Sequence, residues 1–213
     1  MDCCRGQGIE ERFNQRRVAR DLKTYQCKGS APNTRILRDA LRAAGVEGMT
    51  LLDIGGGIGA IPLDLLSAGA SRATEVEAST AFIAAAREEG ARRGYSDRVT
   101  YLHGNFVDLA PTIMPAAIVT LDRVICCYHD LPSLVGASAA KAQRLYGLVY
   151  PRDIWFTHVT AFVLNLLFRL QRTPFRFFVH RTRAVEALLR DAGLERHFQR
   201  TVGFWQVGVY VRA

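Results

Sequence analysis

The sequence predicts an α/β domain: a seven-stranded, mostly parallel sheet with helices on both faces and an antiparallel hairpin at its C-terminal end. Three observations lead there. From Thr50 onward, short apolar runs alternate with longer amphipathic segments, a rhythm that calls for helical crossovers between parallel strands. The run Gly55-Gly56-Gly57-Ile58-Gly59 joins the first apolar run directly to the first amphipathic one. Near the end, two strand-like runs at 197–202 and 204–211 are separated only by Gly203, a gap that fits a hairpin and no crossover.

Taken in order, residues 10–23 read as a polar helix, and Asn33 as the cap of a second helix running to 44 and stopping at Gly45. Thr50–Ile54 is a buried strand. A helix at 58–68 carries Pro62 in its first turns and Gly69 beyond its end. A second strand at 73–77 leads to a helix capped by Ser79 and ended by Gly94. Val99–His103, 118–122 and 145–150 are further strands, with a helix at 133–143 before the last and another at 182–192 before the hairpin.

Bulk properties set the frame. A chain of 213 residues suits one domain, and 49% hydrophobic with 23% charged residues is the composition of a soluble globular protein. The longest apolar stretch, 154–170, is broken by His158 and Asn165 and falls short of the roughly 20 residues of a spanning helix. With no apolar signal region in its first ten residues, the chain is expected in the cytoplasm. The net charge of +8 comes from basic residues spread along the chain without a nucleic-acid motif, so no nucleic-acid partner is expected. Five cysteines, two of them in the pair Cys3-Cys4 and two in Cys126-Cys127, form no disulfide framework and lack zinc spacing.

The chemistry concentrates on Leu51-Leu52-Asp53-Ile54-Gly55-Gly56-Gly57-Ile58-Gly59. Glycines at the carboxyl end of a strand allow a sharp turn and a close approach of ligand to backbone. About twenty residues on, Glu77 closes the second strand, where a carboxylate can accept both hydroxyls of a ribose. Ala60 completes a dinucleotide fingerprint, which keeps an NAD-dependent oxidoreductase open as an alternative. Asp53 separates the two cofactors: an acid before the glycines suits an amino-acid ammonium and repels a pyrophosphate.

With these residues in place, the chain resembles the class I S-adenosylmethionine-dependent methyltransferases, whose acidic-x-Gly-x-Gly-x-Gly signature is matched at Asp53–Gly59 and whose ribose-binding turn is matched at Glu77-Ala78-Ser79. Over nearly its whole length it is most similar to the magnesium-protoporphyrin O-methyltransferase-like group. Tyr25 with Gly29, Thr120-Leu121-Asp122 leading to Ile125, a fifth strand ending at Pro151, and His180 carry that likeness; the post-strand segment departs from it at Cys126. The resemblance implies a Rossmann-like sheet and in-line transfer of a methyl group from S-adenosylmethionine, leaving S-adenosylhomocysteine, to a small-molecule acceptor, most simply an oxygen. It implies a cofactor site of Asp53, Gly55, Gly56, Gly57, Glu77, Ala78, Asn105, Phe106, Asp122 and Arg123. Asn105 stands where Asp is commoner, and its amide oxygen can still accept from an exocyclic amine. A non-catalytic S-adenosylmethionine-binding regulatory protein is the other alternative.

In the same frame, residues 1–48 form a helical lid, 49–213 the core, and about 152–180 a helical insertion; its apolar face is expected by default to pack in the core, the alternatives being to roof an acceptor pocket or, less favoured, to lie on a membrane surface. Tyr25 is either a lid residue at the methyl-transfer site or an ordinary packing side chain. His129 is either a general base on the ligand side of the sheet or an exposed loop histidine. His158 reads as a hydrogen-bonded core or pocket-wall residue. Cys126 and Cys127, joined by Cys3, Cys4 or Cys27, could hold a soft metal, but their spacing fits no zinc site and no metal is expected.

Overall fold

A computed structural model describes residues 8–213; Cys3 and Cys4 lie outside the described residues. The sheet has the strand order β3-β2-β1-β4-β5-β7-β6, built from β1 (Thr50–Ile54), β2 (Arg72–Glu77), β3 (Val99–His103), β4 (Ala116–Asp122), β5 (Ala142–Pro151), β6 (Leu194–Val202) and β7 (Trp205–Arg212). Strands β1 to β5 pair in parallel; β7 runs antiparallel to both β5 and β6. The last strand made is therefore an interior one, and the expected hairpin closes through Gly203 and Phe204, with Gly203 at φ 58°.

Alternation along each strand sends side chains to two cores. Leu52, Ile54, Val119, Leu121 and Tyr146 pack with α6 (Phe106–Leu109), α7 (Leu131–Lys141) and α9 (Thr182–Asp191). Leu51, Ile118, Leu145, Val149 and Val207 pack with α3 (Pro32–Ala43) and α4 (Ala60–Ser67) on the other face. Helix α5 (Thr80–Arg92) follows β2 and is capped by Ser79, whose Oγ accepts from the Phe82 amide at 3.2 Å. These are the elements that place the site, because the strand order reverses between β1 and β4 and their carboxyl ends diverge there.

Several boundaries differ from the sequence reading. The first helix is split into α1 (Ile9–Arg12) and α2 (Gln15–Lys28), since Asn14 caps the second piece by accepting from the Arg17 amide. Asn33 caps nothing: Pro32 occupies the first turn of α3, the position where a missing N–H costs least, and Asn33 is buried inside the helix. Helix α7 starts two residues earlier than expected because Asp130 accepts from the Ser133 amide. Strand β5 extends back to Ala142, held by β4 on one side and by Arg212 Nε, which donates to the Ala142 carbonyl at 2.7 Å. The insertion is one helix, α8 (Trp155–Leu170), followed by irregular chain up to α9.

Candidate active site

A cavity of about 1150 Å³ opens over the carboxyl ends of β1, β2 and β4. It exceeds the roughly 300–1,000 Å³ of a site for one small ligand, so it has room for a nucleoside and a second compound. Asp53, Gly55, Gly56, Gly57, Glu77, Ala78, Asn105, Phe106, Asp122 and Arg123 all line it, and so does Tyr25. His129 does not: it is exposed, with its ring edge-on to Phe178 at 5.5 Å. His158 is also exposed and bonds Asp153 Oδ1 at 2.7 Å on the outer side of α8.

The glycine turn is shaped by what lies beneath it. Gly55 and Gly57 have φ of 66° and 64°, a conformation that favours glycine. Gly56 is needed for space: a Cβ there would stand 2.6 Å from Glu75 Cγ and 2.8 Å from Asp53 Oδ2. Across the sheet, Glu75, Asp53 and Thr120 occupy one row of register partners. Asp53 is buried and accepts from Thr120 Oγ1 at 2.5 Å; burial pushes its pKa up to about 8, against that hydroxyl and with the help of Asp122 and Glu77. Glu75 is fully buried, and neither of its carboxyl oxygens has a hydrogen-bond partner. Desolvation, with Asp53 and Glu77 adding repulsion, raises its pKa well above the ordinary carboxyl range. Two carboxyls facing each other without a cation are held protonated rather than as a pair of charges.

A group whose folded-state pKa is raised stabilises the fold below its unfolded pKa and ceases to do so as pH climbs through the folded one. Asp53 therefore costs stability progressively between its ordinary 3.8 and about 8. Thermal melting of the ligand-free protein is expected to drop more steeply across that window than melting of Asp53→Asn, which cannot ionise. Parallel curves for the two proteins would show that Asp53 is already charged.

Glu77 closes β2 with its carboxylate turned toward the glycines. Oε2 accepts from the Gly57 amide at 3.0 Å and Oε1 from the Ser79 amide at 2.9 Å. Burial raises its pKa while the N–H groups of Ser79, Gly57 and Ala78 pull it down. The Glu77 side chain lines the cavity. Asn105 caps α6, and Phe106 behind it is buried in the wall. Asp122 accepts from Thr34 Oγ1 at 2.5 Å and pairs with Arg123 at 3.0 Å. Arg123 holds φ 61°, a left-handed backbone rarely adopted by a side-chain-bearing residue, at the end of β4 where such strain collects in functional sites.

The N-terminal helices complete the cavity wall, which the sequence outlined only through Tyr25. Tyr25 is buried, its hydroxyl donates to Asp64 Oδ1 at 3.1 Å, and Arg93 stacks 4.9 Å over its ring. Asp64 also accepts from Ser30 and Arg38, so α2, α3 and α4 meet on one carboxylate. Phe13 packs edge-on between Phe82 and Phe175, at 5.9 and 5.8 Å, and its carbonyl accepts from Ser79 Oγ at 2.7 Å. Sequence reasoning missed Thr34, Asp64 and Phe13, whose partners lie tens of residues away. Cys126 and Cys127 line the cavity with sulfurs 3.8 Å apart, and that mutual contact followed by burial raises the Cys126 pKa. Cys27 is exposed and not among the lining residues, and no group of three or more His, Cys, Asp or Glu placed to hold a metal occurs among the described residues.

Solved structures share this architecture. Magnesium protoporphyrin IX methyltransferase from Synechocystis PCC 6803, with SAH bound, superimposes with a TM-score of 0.73 over 96% of this chain and 98% of that one, at 17% identity. The same enzyme has also been solved with bound SAM. The fold is the class I methyltransferase fold. An O-methyltransferase family protein from Burkholderia thailandensis matches with a TM-score of 0.75, 18% identity and 98% and 64% coverage, and mitomycin 7-O-methyltransferase with 0.68, 20% and 100% and 62%. In sequence, ribosomal protein L11 methyltransferase from Enterobacter sp. (strain 638) is 30% identical over 118 residues, 55% of this chain. The chain matches only 39% of that protein's length. No family profile matches.

Proposed function

We propose that this chain is an S-adenosylmethionine-dependent methyltransferase acting on a small-molecule acceptor, with an oxygen as the receiving atom. The observation that carries the reading is the arrangement of carboxyls around the glycine turn. Glu77 presents acceptor lone pairs at the end of β2, and Asp53 lies beneath the turn with no cation of its own. A ribose diol fits the first and the ammonium of an amino-acid tail fits the second. A dinucleotide would instead bring its phosphates to a turn bordered by the carboxyls of Glu77 and Asp122, which disfavours the oxidoreductase reading.

The methyl donor supplies an activated sulfonium carbon, so the chain's work is to hold, align and exclude water. Gly55 and Gly57 let the donor lie against the backbone, Phe106 packs one flank, and Asn105 offers an amide to the base. Asp122 and Arg123, fixed by Thr34, border the side where the donor meets the acceptor. The acceptor side is walled by Cys126, Phe168 and Phe177, a largely apolar surface. His129, exposed beyond that wall, would reach an acceptor proton only through a rearrangement of the loop after β4. Titration with S-adenosylhomocysteine and with NADH decides the matter: saturable binding of the first and none of the second is expected, and the reverse would end the methyltransferase reading.

Helices α1 and α2 act as the lid over this site, with Tyr25 as its positioning residue through Asp64. Tyr25→Phe removes one hydrogen bond to a carboxylate, a change of about 1.5–3 kcal/mol at most in lid closure. Limited proteolysis between Arg16 and Lys28 is expected to be slowed by S-adenosylhomocysteine in the native protein, and less so in Tyr25→Phe. Cleavage at the same rate with and without ligand would return this segment to a fixed wall.

A further inference from the structure

Helix α8 carries an apolar face that none of the described residues covers. Of the ten large hydrophobic residues exposed among the described ones, eight belong to this helix. Trp155, Val159, Phe162, Leu166 and Leu170 form one row, with Trp155 78%, Phe162 70% and Leu170 72% exposed. At 3.6 residues per turn this row and its neighbours Phe156, Val163 and Leu167 cover an arc of roughly 140°, diametrically opposite the side that Thr157, Ala161 and Phe168 bury. A helix apolar all round is a buried helix, and here only half is covered by the chain itself.

Charge tells what covers the rest. From Ile154 to Val185 the sequence holds five arginines, Arg169, Arg172, Arg176, Arg181 and Arg183, and no Asp or Glu. All but Arg176 are exposed, and none of the five has an ion pair among the described residues. The acids that flank this stretch, Asp153 and Glu186, are taken up by His158 and Arg196. Two copies of this face would bring like charges together, whereas an apolar arc beside unpaired arginines, with tryptophan at one end, complements an anionic bilayer surface. The helix is too short to cross: sixteen residues, and no described helix is long and apolar enough to span a membrane.

We propose that α8 lies in the plane of an anionic lipid surface, its outer face sunk among the acyl chains and the 169–183 arginines on the headgroups. The inference stands independently of the cofactor reading. Because Leu164 and Phe168 on the same helix line the cavity, the docked face and the acceptor wall are two sides of one element.

The test is flotation of the full chain with vesicles of phosphatidylcholine, with and without phosphatidylglycerol. Binding is expected only to the anionic vesicles, with a blue-shifted tryptophan emission, and Phe162→Glu and Arg169→Glu should each lower it by about tenfold. Both side chains point to solvent, so circular dichroism melts should match the parent protein and separate lost docking from lost folding. Failure to float with anionic vesicles overturns the proposal, as does equal binding to neutral ones or binding untouched by Phe162→Glu. Sedimentation showing a dimer that Phe162→Glu dissociates would assign the face to a second copy of the chain instead.

Discussion

Gly56→Val is expected to abolish binding of S-adenosylhomocysteine and to lower the melting temperature at the same time. The first branch atom would already stand 2.6 Å from Glu75 Cγ and 2.7 Å from its carboxyl carbon. Glu75 has nowhere to retreat, because it is fully buried. Overpacking of this kind costs about 1–3 kcal/mol, and a domain of this size loses roughly 2–4 °C in Tm per kcal/mol. The turn would lift off the sheet and take the Gly57 amide away from Glu77, so the proposed ribose acceptor would lose its orientation. Gly57→Ala makes the contrast: its Cβ meets only Phe82 at 3.7 Å, and its cost comes from φ 64°. Calorimetric titration and thermal melts of both variants check this. A Gly56→Val protein that melts and binds like the parent would mean that the two carboxyls are not packed against the turn.

The second large effect belongs to Glu77→Ala, expected to weaken S-adenosylhomocysteine binding by about 1–3 kcal/mol, or roughly 5- to 150-fold, while the protein stays folded. Its two oxygens accept from the backbone N–H groups of Gly57 and Ser79, and in the proposed function they would also accept from the hydroxyls of the ribose. Glu77→Gln keeps the volume and tests the polarity: one oxygen becomes an NH₂ facing an N–H donor, so binding should fall nearly as far as in the alanine variant. An affinity for S-adenosylhomocysteine equal to that of the parent in both would remove Glu77 from the ligand.

Much of this was legible in the sequence where the signal is local. The glycine turn, the Ser79 cap and the strand ending at Glu77 each depend on residues within a few positions of one another, and the structure has them where the spacing put them. The hairpin was readable because one small residue leaves no room for a crossover. What escaped depends on distance. Asn33 looks like a cap until Pro32 takes the first turn, and Asp130 was passed over for Ser133, which it caps. Glu75 gives no warning, since an acid in a strand reads as an exposed position, whereas pairing between β1 and β3 buries it. Thr34 and Asp122 are 88 residues apart, and Tyr25 and Asp64 are 39 apart, so the attachment of the N-terminal helices could be seen only once the chain had folded.

The place of β7 between β5 and β6 bears on how this protein is made. Strand β6 leaves the ribosome before β7 yet has β7 as its one neighbour among the described strands, while β5 waits with an open edge until the same strand arrives. That edge, Leu145 to Val149, is buried in the finished molecule and nearly free of charge. A nascent chain arrested before residue 205 thus displays an unpaired, sticky strand, the kind of surface that chaperones shield and that seeds aggregation. Arg212 then fastens the arrangement from its far end, its guanidinium donating at 2.7 Å to carbonyls of Ala139, Ala142 and Ala192. Biosynthesis of this sheet ends by threading its keystone last.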